Sequence, residues 1–211
     1  MEKLEFKQIE SPKDRDEYFD KVEYFSGVRL SAAYADQSKI VGVYYRNRLA
    51  AGYMLVTKPN FRSLLFVPDS VKTSNNFFKN ESFEMMEVNG LWIGPSLKTP
   101  KMQMRVWMQL IKDVFFCRKR YVLLMRDARN RTMEKFMGMA NPVNLYTGAS
   151  QQMAGEKTHN EIEVSVTTRW KIILNAHKYT LELLRRQRKA IASSRYRDSN
   201  QSVKARSIEV A

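Results

Sequence analysis

Cysteine and histidine are nearly absent from the 211 residues, which contain one cysteine, Cys117, and two histidines, His159 and His177. A single cysteine excludes a disulfide within the chain and is typical of a reducing compartment. Because Cys117 follows the apolar face of a predicted helix, we interpret it as a buried, inert thiol rather than a nucleophile. Without a Cys/His cluster we expect no structural zinc site and no bound metal.

Long hydrophobic runs are absent as well. No apolar stretch of this sequence approaches the roughly 20 residues that a helix needs to cross a bilayer. Residues 1–19 are charged throughout and do not resemble a signal peptide. The sequence also lacks the P-loop, the nucleophile elbow of hydrolases, the H-E-x-x-H zinc motif and the EF-hand loop. We expect a cytoplasmic protein, or one held peripherally at a membrane, and the sequence does not indicate its oligomeric state.

Positive charge dominates the composition. Lysine and arginine number 36 against 22 acidic residues, which gives a formal charge of +14 at pH 7. Such an excess predicts an acidic partner: nucleic acid, an anionic membrane, an acidic protein or an anionic cofactor. A merely solvated basic surface is the alternative.

The C-terminal region carries much of this charge. Residues 176–192 predict a basic amphipathic helix whose narrow apolar stripe includes Tyr179, Leu183 and Leu184. Such a helix can dock by Leu183 and Leu184 and hold its arginines outward. Residues 193–211 are polar and basic without periodicity and predict a flexible tail. Residues 1–175 are expected to form the main domain.

The stretch Phe83–Phe116 organises that domain as a strand, a loop and a helix. Gly94-Pro95-Ser96 ends the apolar strand at Ile93, and Thr99-Pro100 provides a helix N-cap followed by proline at the first helical position. A helix N-terminus presents free N–H groups and the positive end of its dipole, which suits a phosphate or pyrophosphate. Lys98, Lys101 and Arg105 add positive charge there.

The remaining segments predict an α/β fold with a mixed, mostly antiparallel sheet of about six or seven strands flanked by helices. Predicted strands, besides the central one, are Leu4–Ile9, Lys39–Tyr45, Leu49–Thr57, Tyr121–Met125, Val143–Thr147 and Thr168–Leu174. Phe61–Phe66 is a candidate extension of the sheet, and Asp69–Asn80 a mobile loop. The strand, helix, strand unit predicts parallel pairing of the strands at Phe83–Ile93 and Tyr121–Met125.

This order of elements resembles the GNAT acyltransferase superfamily over residues 1–175. Leu91-Trp92-Ile93-Gly94-Pro95-Ser96-Leu97-Lys98 is similar to the family's strand end and loop entry. Lys98-Thr99-Pro100-Lys101-Met102-Gln103 stands where the family's pyrophosphate loop reads R/Q-x-x-G-x-G/A, and it has neither glycine. The resemblance implies a GNAT-like fold in which two splayed strands hold a pantetheine arm.

The resemblance also implies an acyl-donor site without a tightly bound cofactor. Acyl-CoA, or the acyl-phosphopantetheine of an acyl carrier protein, would be the donor substrate. The positions implied to bind it are Leu91, Ile93, Leu97, Lys98, Thr99, Lys101, Met102, Arg105 and Asn130.

Catalytic groups are implied on the central strand and after it. Glu84 and Glu87 are three positions apart, so they face opposite sides of the sheet. The family often carries its base on this strand, and Glu87 lies nearer the loop, although an ordinary carboxylate is the alternative. The family's usual acid, a tyrosine in the helix after the fifth strand, is missing here; Phe136 is the nearest aromatic residue and Tyr146 the nearest substitute.

Two functions follow from these patterns. The first is N-acyl transfer from acyl-CoA or acyl carrier protein to an amine, with Glu87 as base and Tyr146 as acid. The alternative is a non-catalytic GNAT-like module that binds an acidic partner. In either case we expect the basic C-terminal region to bind that partner, which would be an acyl carrier protein, nucleic acid or an anionic membrane surface.

Overall fold

Seven strands form one mixed sheet in the computed structural model, which describes residues 3–80, 82–149, 161–189 and 191–192. The strand order is β1-β2-β3-β4-β5-β7-β6, and β4–β5 is the parallel pair among antiparallel neighbours. The strands are β1 (Leu4–Gln8), β2 (Ser38–Tyr45), β3 (Arg48–Val56), β4 (Met85–Ile93), β5 (Tyr121–Asp127), β6 (Val143–Gly148) and β7 (Ile162–Thr168). The predicted fold class is confirmed.

Helices cover both faces of this sheet. They are α1 (Pro12–Ser26), α2 (Ala32–Asp36), α3 (Arg62–Leu65), α4 (Asp69–Ser74), α5 (Pro100–Phe116), α6 (Arg131–Gly138), α7 (Arg169–Leu174) and a C-terminal helix, α8, over 176–189. Ser11 and Thr99 cap α1 and α5 as their sequences predict, each accepting a hydrogen bond from the amide three residues later. Within the described ranges, no helix has the length and apolar character that crossing a bilayer requires.

Alternation along the strands divides the core between the two faces. On one face, Tyr53, Met86 and Val122 pack with α5, α6 and α8. On the other face, Met54 and Trp92 pack with α1. The central strands are thus buried on both sides.

Three predicted segments are wrong. Thr168–Leu174 is not a strand, because the Thr168 hydroxyl accepts the Lys171 amide at 3.2 Å and so begins α7. Phe61–Phe66 holds α3, and its two phenylalanines are buried in the core. Asp69–Asn80 is not a loop but α4 and a 3-10 turn at Asn76–Lys79, whose start is capped by the Asn75 side chain.

The C-terminal helix docks differently from the predicted arrangement. Tyr179 and Leu183 are buried, whereas Leu184 is 40% exposed. Arg186 does not point away from the domain, because its guanidinium lies 4.4 Å from the centre of the Phe136 ring and its Nε donates to Glu182. The predicted tail, residues 193–211, lies outside the described residues.

Candidate active site

The two central strands separate after a short paired segment. Met85–Glu87 of β4 pairs with Tyr121–Leu123 of β5, and pairing stops there. Beyond Glu87 the strands diverge around a cavity of about 450 Å³, lined by 88–93 of β4 and 124–127 of β5. The main-chain groups on this edge of β4 therefore face the cavity instead of a neighbouring strand, as a splayed pair of strands requires.

The cavity passes through the sheet and reaches both layers of helices. On the α1 side it is lined by Val22, Phe25, Val28 and Leu30. On the α5 side the lining residues are mainly apolar and include Trp107, Leu110, Phe136, Ile172 and Tyr179. Such a passage can hold an extended, largely apolar molecule with each end on a different face of the sheet.

A β-bulge lies on the β4 wall of this cavity. Gly52 and Met54 of β3 pair with Trp92 and Asn89, so Gly90 and Leu91 together oppose the single residue Tyr53. Gly90 has φ +57°. Its carbonyl accepts the buried Tyr18 hydroxyl at 2.7 Å, which ties α1 to the bulge. Glycine suits this position because a side chain would be strained there.

Glu87 is fully buried where the paired segment ends. One carboxylate oxygen accepts the Ser63 amide at 3.2 Å and the Asn89 side chain at 3.0 Å. The other oxygen has no hydrogen-bond partner among the described residues. Burial raises the pKa of Glu87 to about 7, against the opposing effects of the nearby Tyr34, Ser63 and Asn89 and of the charge of Arg62. A carboxylate with this pKa can accept a proton at neutral pH.

The neighbours of Glu87 connect it to the cavity. Asn89 and Arg62 line the cavity, whereas Glu87 itself does not. The Asn89 side chain donates to both Glu87 and the Tyr34 hydroxyl, the latter at 3.1 Å. Burial raises the pKa of Tyr34, so its phenol stays protonated beside Asn89. Asn89 therefore links the buried Glu87 to the cavity wall.

Tyr146, the acid suggested by the sequence, is not brought to this cluster. It lies on β6, three strands from β4, which places it about 14 Å away across the sheet at ordinary strand spacing. Its hydroxyl bonds the Ala149 carbonyl at 3.4 Å, and its side chain is not among the cavity's lining residues. The structure thus separates the two predicted catalytic groups.

Tyr179 of α8 is a phenol that sequence reasoning assigned only to packing. It lines the cavity, and its ring centre lies 6.0 Å from that of Trp107 and 6.4 Å from that of Phe136. Burial raises the pKa of Tyr179 to about 12, so the hydroxyl is protonated at neutral pH. The other hydroxyl group among the described lining residues belongs to Ser26, and it donates a hydrogen bond to the Val22 carbonyl at 2.7 Å.

The N-terminus of α5 offers fewer anion-binding groups than its sequence suggests. Thr99 accepts the Met102 amide, Leu97 donates to the Gly94 carbonyl, and Pro100 has no N–H. Lys98 and Lys101 are exposed beside the remaining amides. Phosphate binding here would therefore use the amides of Lys98, Thr99 and Lys101 and two lysine side chains.

The nine positions implied to bind the donor fall into three groups. Leu91, Ile93 and Asn130 line the cavity. Lys98, Thr99 and Lys101 stand at the start of α5. Leu97 and Met102 have side chains in the core, and Arg105 borders a separate hollow with Phe6 on the opposite flank of α5. These last three residues do not line the cavity.

Among the described residues, no group of three or more His, Cys, Asp and Glu side chains is placed to hold a metal ion. Burial raises the pKa of Cys117, which keeps its sulfur in the unreactive thiol form.

Comparison with known proteins gives matches in structure but not in sequence. No model of a known protein family matches the chain, and no curated protein sequence matches it. FeeM, an N-acyl amino acid synthase from uncultured soil microbes, has a TM-score of 0.59 at 9% identity, over 82% of this chain and 94% of its own. A Bacillus subtilis acetyltransferase in complex with CoA has a TM-score of 0.52 at 10% identity, over 79% of this chain and 99% of its own.

A GCN5-related N-acetyltransferase from Brucella melitensis has a TM-score of 0.53 at 10% identity, over 85% of this chain and 82% of its own. At such low identity these likenesses concern the arrangement of the chain. They agree with the seven-stranded sheet, the parallel β4–β5 pair and the following helix α5. The chain therefore has the fold of the GNAT superfamily.

Proposed function

We propose that this protein is an N-acyltransferase that moves an acyl group from a pantetheine thioester to an amine. The observation that carries the proposal is the cavity of about 450 Å³ between the splayed strands β4 and β5, with a bulge on its wall and a proton acceptor beside it. The pantetheine arm would lie between the strands. The thioester carbonyl would then meet the Leu91 amide, because N–H groups fixed in a sheet stabilise a developing oxyanion.

Glu87 supplies the base in this scheme. The amine attacks the thioester carbonyl, a C–N bond forms, the C–S bond breaks, and one proton leaves the amine. Because Glu87 does not line the cavity, that proton would reach Glu87 through water beside Asn89 and Arg62, which do line it. Because burial raises the pKa of Glu87 to about 7, the rate should rise with pH up to about 7 and then level off.

The leaving thiolate needs a proton, and Tyr179 is the proposed donor. Its neutral phenol lines the cavity on the α5 side beside Phe136. Phe136 itself has no proton to give. Tyr146, three strands away, would have to act over a distance too great for direct transfer.

The donor is either acyl-CoA or an acyl carrier protein. Exposed Lys98 and Lys101 at the start of α5 support binding of a phosphate from either source. The structural match solved with CoA supports a CoA-derived donor. An acidic carrier protein is supported by the net charge of +14 and by the basic region that begins in α8.

An amino acid is the acceptor class that we propose. FeeM, which shares the fold, is an N-acyl amino acid synthase. In this chain the cationic Arg62 lines the cavity beside Glu87. The carboxylate of an amino acid would therefore pair with Arg62, and its amine would lie on the side of the base Glu87.

Release of free thiol tests the proposal. The wild type is incubated with acetyl-, octanoyl- or dodecanoyl-CoA, or with the matching acyl carrier protein, together with a panel of amino acids and simple amines. We expect amine-dependent thiol release that Glu87→Gln lowers by ~10²–10⁴-fold, with Glu84→Gln as the matched control on the same segment. Absence of release with every donor and amine would reject the enzyme and leave the non-catalytic module.

That module remains the second candidate for one specific reason. Leu97 and Met102 are directed into the core, and two amides at the start of α5 are already satisfied, which leaves a reduced phosphate site. A GNAT-like protein that has lost donor binding would keep the fold and use its positive charge to hold an acidic partner. Binding of CoA and of phosphopantetheinylated carrier protein, measured by calorimetry, separates the two candidates.

A further inference from the structure

One end of the sheet carries exposed apolar and cationic side chains together. We name it the basal surface, and it lies where β4 and β5 begin and β7 ends. Its apolar members are Phe83, Phe116, Trp170 and Leu174, with exposed fractions of 64%, 63%, 53% and 71%. Its cations are Arg118, Lys119, Arg120, Arg169 and Lys171.

Hydrogen bonds and ring contacts hold these residues in one place. The Lys119 ammonium donates to the Phe83 carbonyl at 2.7 Å, and the Arg169 amide donates to the Arg120 carbonyl at 3.2 Å. Phe115 contacts both Phe116 and Trp170, with ring centres 5.6 and 5.3 Å apart. Leu174 is four residues after Trp170 and so lies on the same side of α7. The surface is therefore continuous.

The charge of the basal surface is strongly one-sided. Glu84 is the one carboxylate among its described residues, and it lies 4.0 Å from Arg120. The Arg169 guanidinium lies over the rings of Phe115 and Trp170, which keeps a cation within the aromatic group. Large apolar side chains surrounded by lysine and arginine are the composition of proteins that bind the interface of an anionic bilayer.

We propose that the basal surface binds an anionic lipid bilayer. Phe116, Trp170 and Leu174 would enter the headgroup region, where an aromatic ring with a polar edge is favoured. The cations would meet lipid phosphates at the same depth.

Other occupants fit these residues less well. A nucleic acid would satisfy the cations through its phosphates but would leave Leu174 and Phe116 without an apolar partner. A second copy of the chain in a symmetric dimer would place the cations of one copy against those of the other. The proposal does not depend on the acyltransferase function, because none of the residues that define the basal surface lines the cavity.

Vesicle sedimentation with the full chain tests the proposal. Phosphatidylcholine vesicles with and without one third phosphatidylglycerol are compared. The triple variant Phe116→Ser, Trp170→Ser, Leu174→Ser is compared with the control Tyr24→Ser, Leu65→Ser, whose parent side chains are 81% and 50% exposed elsewhere. Residues 193–211 are unchanged throughout, so their charge contributes equally to every variant.

We expect the wild type and the control to bind the anionic vesicles, and the triple variant to lose most of that binding. Lys119→Glu is expected to weaken binding about fivefold or more, and added salt should weaken it further. Trp170 is the exposed tryptophan, whereas Trp92 is buried and Trp107 half-buried. Vesicles should therefore shift the emission of the wild type to shorter wavelength but not that of Trp170→Phe.

Two outcomes would overturn the proposal. One is equal vesicle binding by the triple variant and the control, or no preference for anionic vesicles. The other is that the wild type binds no vesicles but does bind an acidic protein or RNA, and that the triple variant loses this binding. That result would assign the surface to the acidic protein or RNA.

Discussion

At the scale of single residues, Glu87 links stability to pH. Burial raises its pKa in the folded protein from 4.5 to about 7, so between these values the folded state holds a proton that the unfolded state has released. Glu87 therefore contributes stability that is fully present below pH 4.5 and is lost as the pH rises to about 7.

Glu87→Gln removes this dependence. As the pH rises from acid to slightly alkaline values, the free energy of unfolding of the variant should increase by about 3 kcal/mol relative to that of the wild type. Denaturant unfolding across that range measures the difference. Glu84→Gln, which removes a partly exposed carboxylate, is the control, and an equal pH dependence in both variants would contradict the buried, elevated Glu87.

The proton donor can be identified by two matched substitutions. Tyr179→Phe should lower turnover by ~10²–10⁴-fold with little change in KM, because the substitution removes only the proton donor to the leaving thiolate. Tyr146→Phe should leave turnover unchanged, since Tyr146 does not line the cavity. Steady-state thiol release measures both. A slow Tyr146→Phe beside a normal Tyr179→Phe would restore the assignment made from sequence.

The bulge depends on the glycine at position 90. A Cβ there would lie 2.6 Å from the Tyr18 hydroxyl, on a backbone with φ +57°. We expect Gly90→Ala to lower the free energy of unfolding by ~1–3 kcal/mol. Gly138→Ala is the control, since no atom lies within 4 Å of its added Cβ. Equal stability of the two variants would show that the bulge is not constrained in this way.

Sequence reasoning predicted the candidate site unevenly at this scale. Glu87 and Leu91 could be placed because strand alternation and the Gly94-Pro95 stop fix their positions near the loop. Tyr179 could not, because its place depends on α8 folding back over α5 and α6, which local patterns do not encode. The core positions of Leu97 and Met102 were missed for the same reason.

At the scale of elements, α8 forms a wall of the cavity rather than an appendage. Leu183 is buried against the core and Leu184 is exposed. Leu183→Ala should therefore cost ~2–5 kcal/mol of unfolding free energy, whereas Leu184→Ala should cost less than ~0.5 kcal/mol. Urea unfolding at constant ionic strength compares them. Equal losses would mean that α8 does not dock as described.

Elements with strong local signals could be predicted, and elements without them could not. The Thr99-Pro100 start of α5 was evident from sequence. So were the strands Lys39–Tyr45 and Leu49–Thr57, which form a hairpin whose turn residues Arg46 and Asn47 have positive φ. The sequence prediction placed this strand too far along the chain, at Thr168–Leu174, whereas β7 is Ile162–Thr168. The alternation of Ile162, Val164 and Val166 marks its true position. The short helix α3 is flanked by the buried residues Phe61 and Phe66, and a short apolar run of this kind cannot be distinguished from a strand by its pattern.

At the scale of the whole molecule, chemistry and surface binding are assigned to different places. None of the residues that define the basal surface lines the cavity, although Val114 and Ile172 of the neighbouring helices α5 and α7 do. Separate substitutions can therefore test the two proposals. Deleting 193–211, predicted from sequence to bind an acidic partner, should leave the melting temperature nearly unchanged and weaken low-salt binding of that partner. A large drop in melting temperature would contradict this.

The proposed function requires that a pantetheine arm binds between β4 and β5. Hydrogen–deuterium exchange, with and without CoA and separately with a phosphopantetheinylated carrier protein, tests it most directly. We predict slower exchange in 88–102 and 122–130 with at least one of these ligands, and loss of that protection in Leu124→Trp, which fills the cavity from β5. Unchanged exchange with both ligands, or protection confined to segments outside the cavity, would contradict the claim.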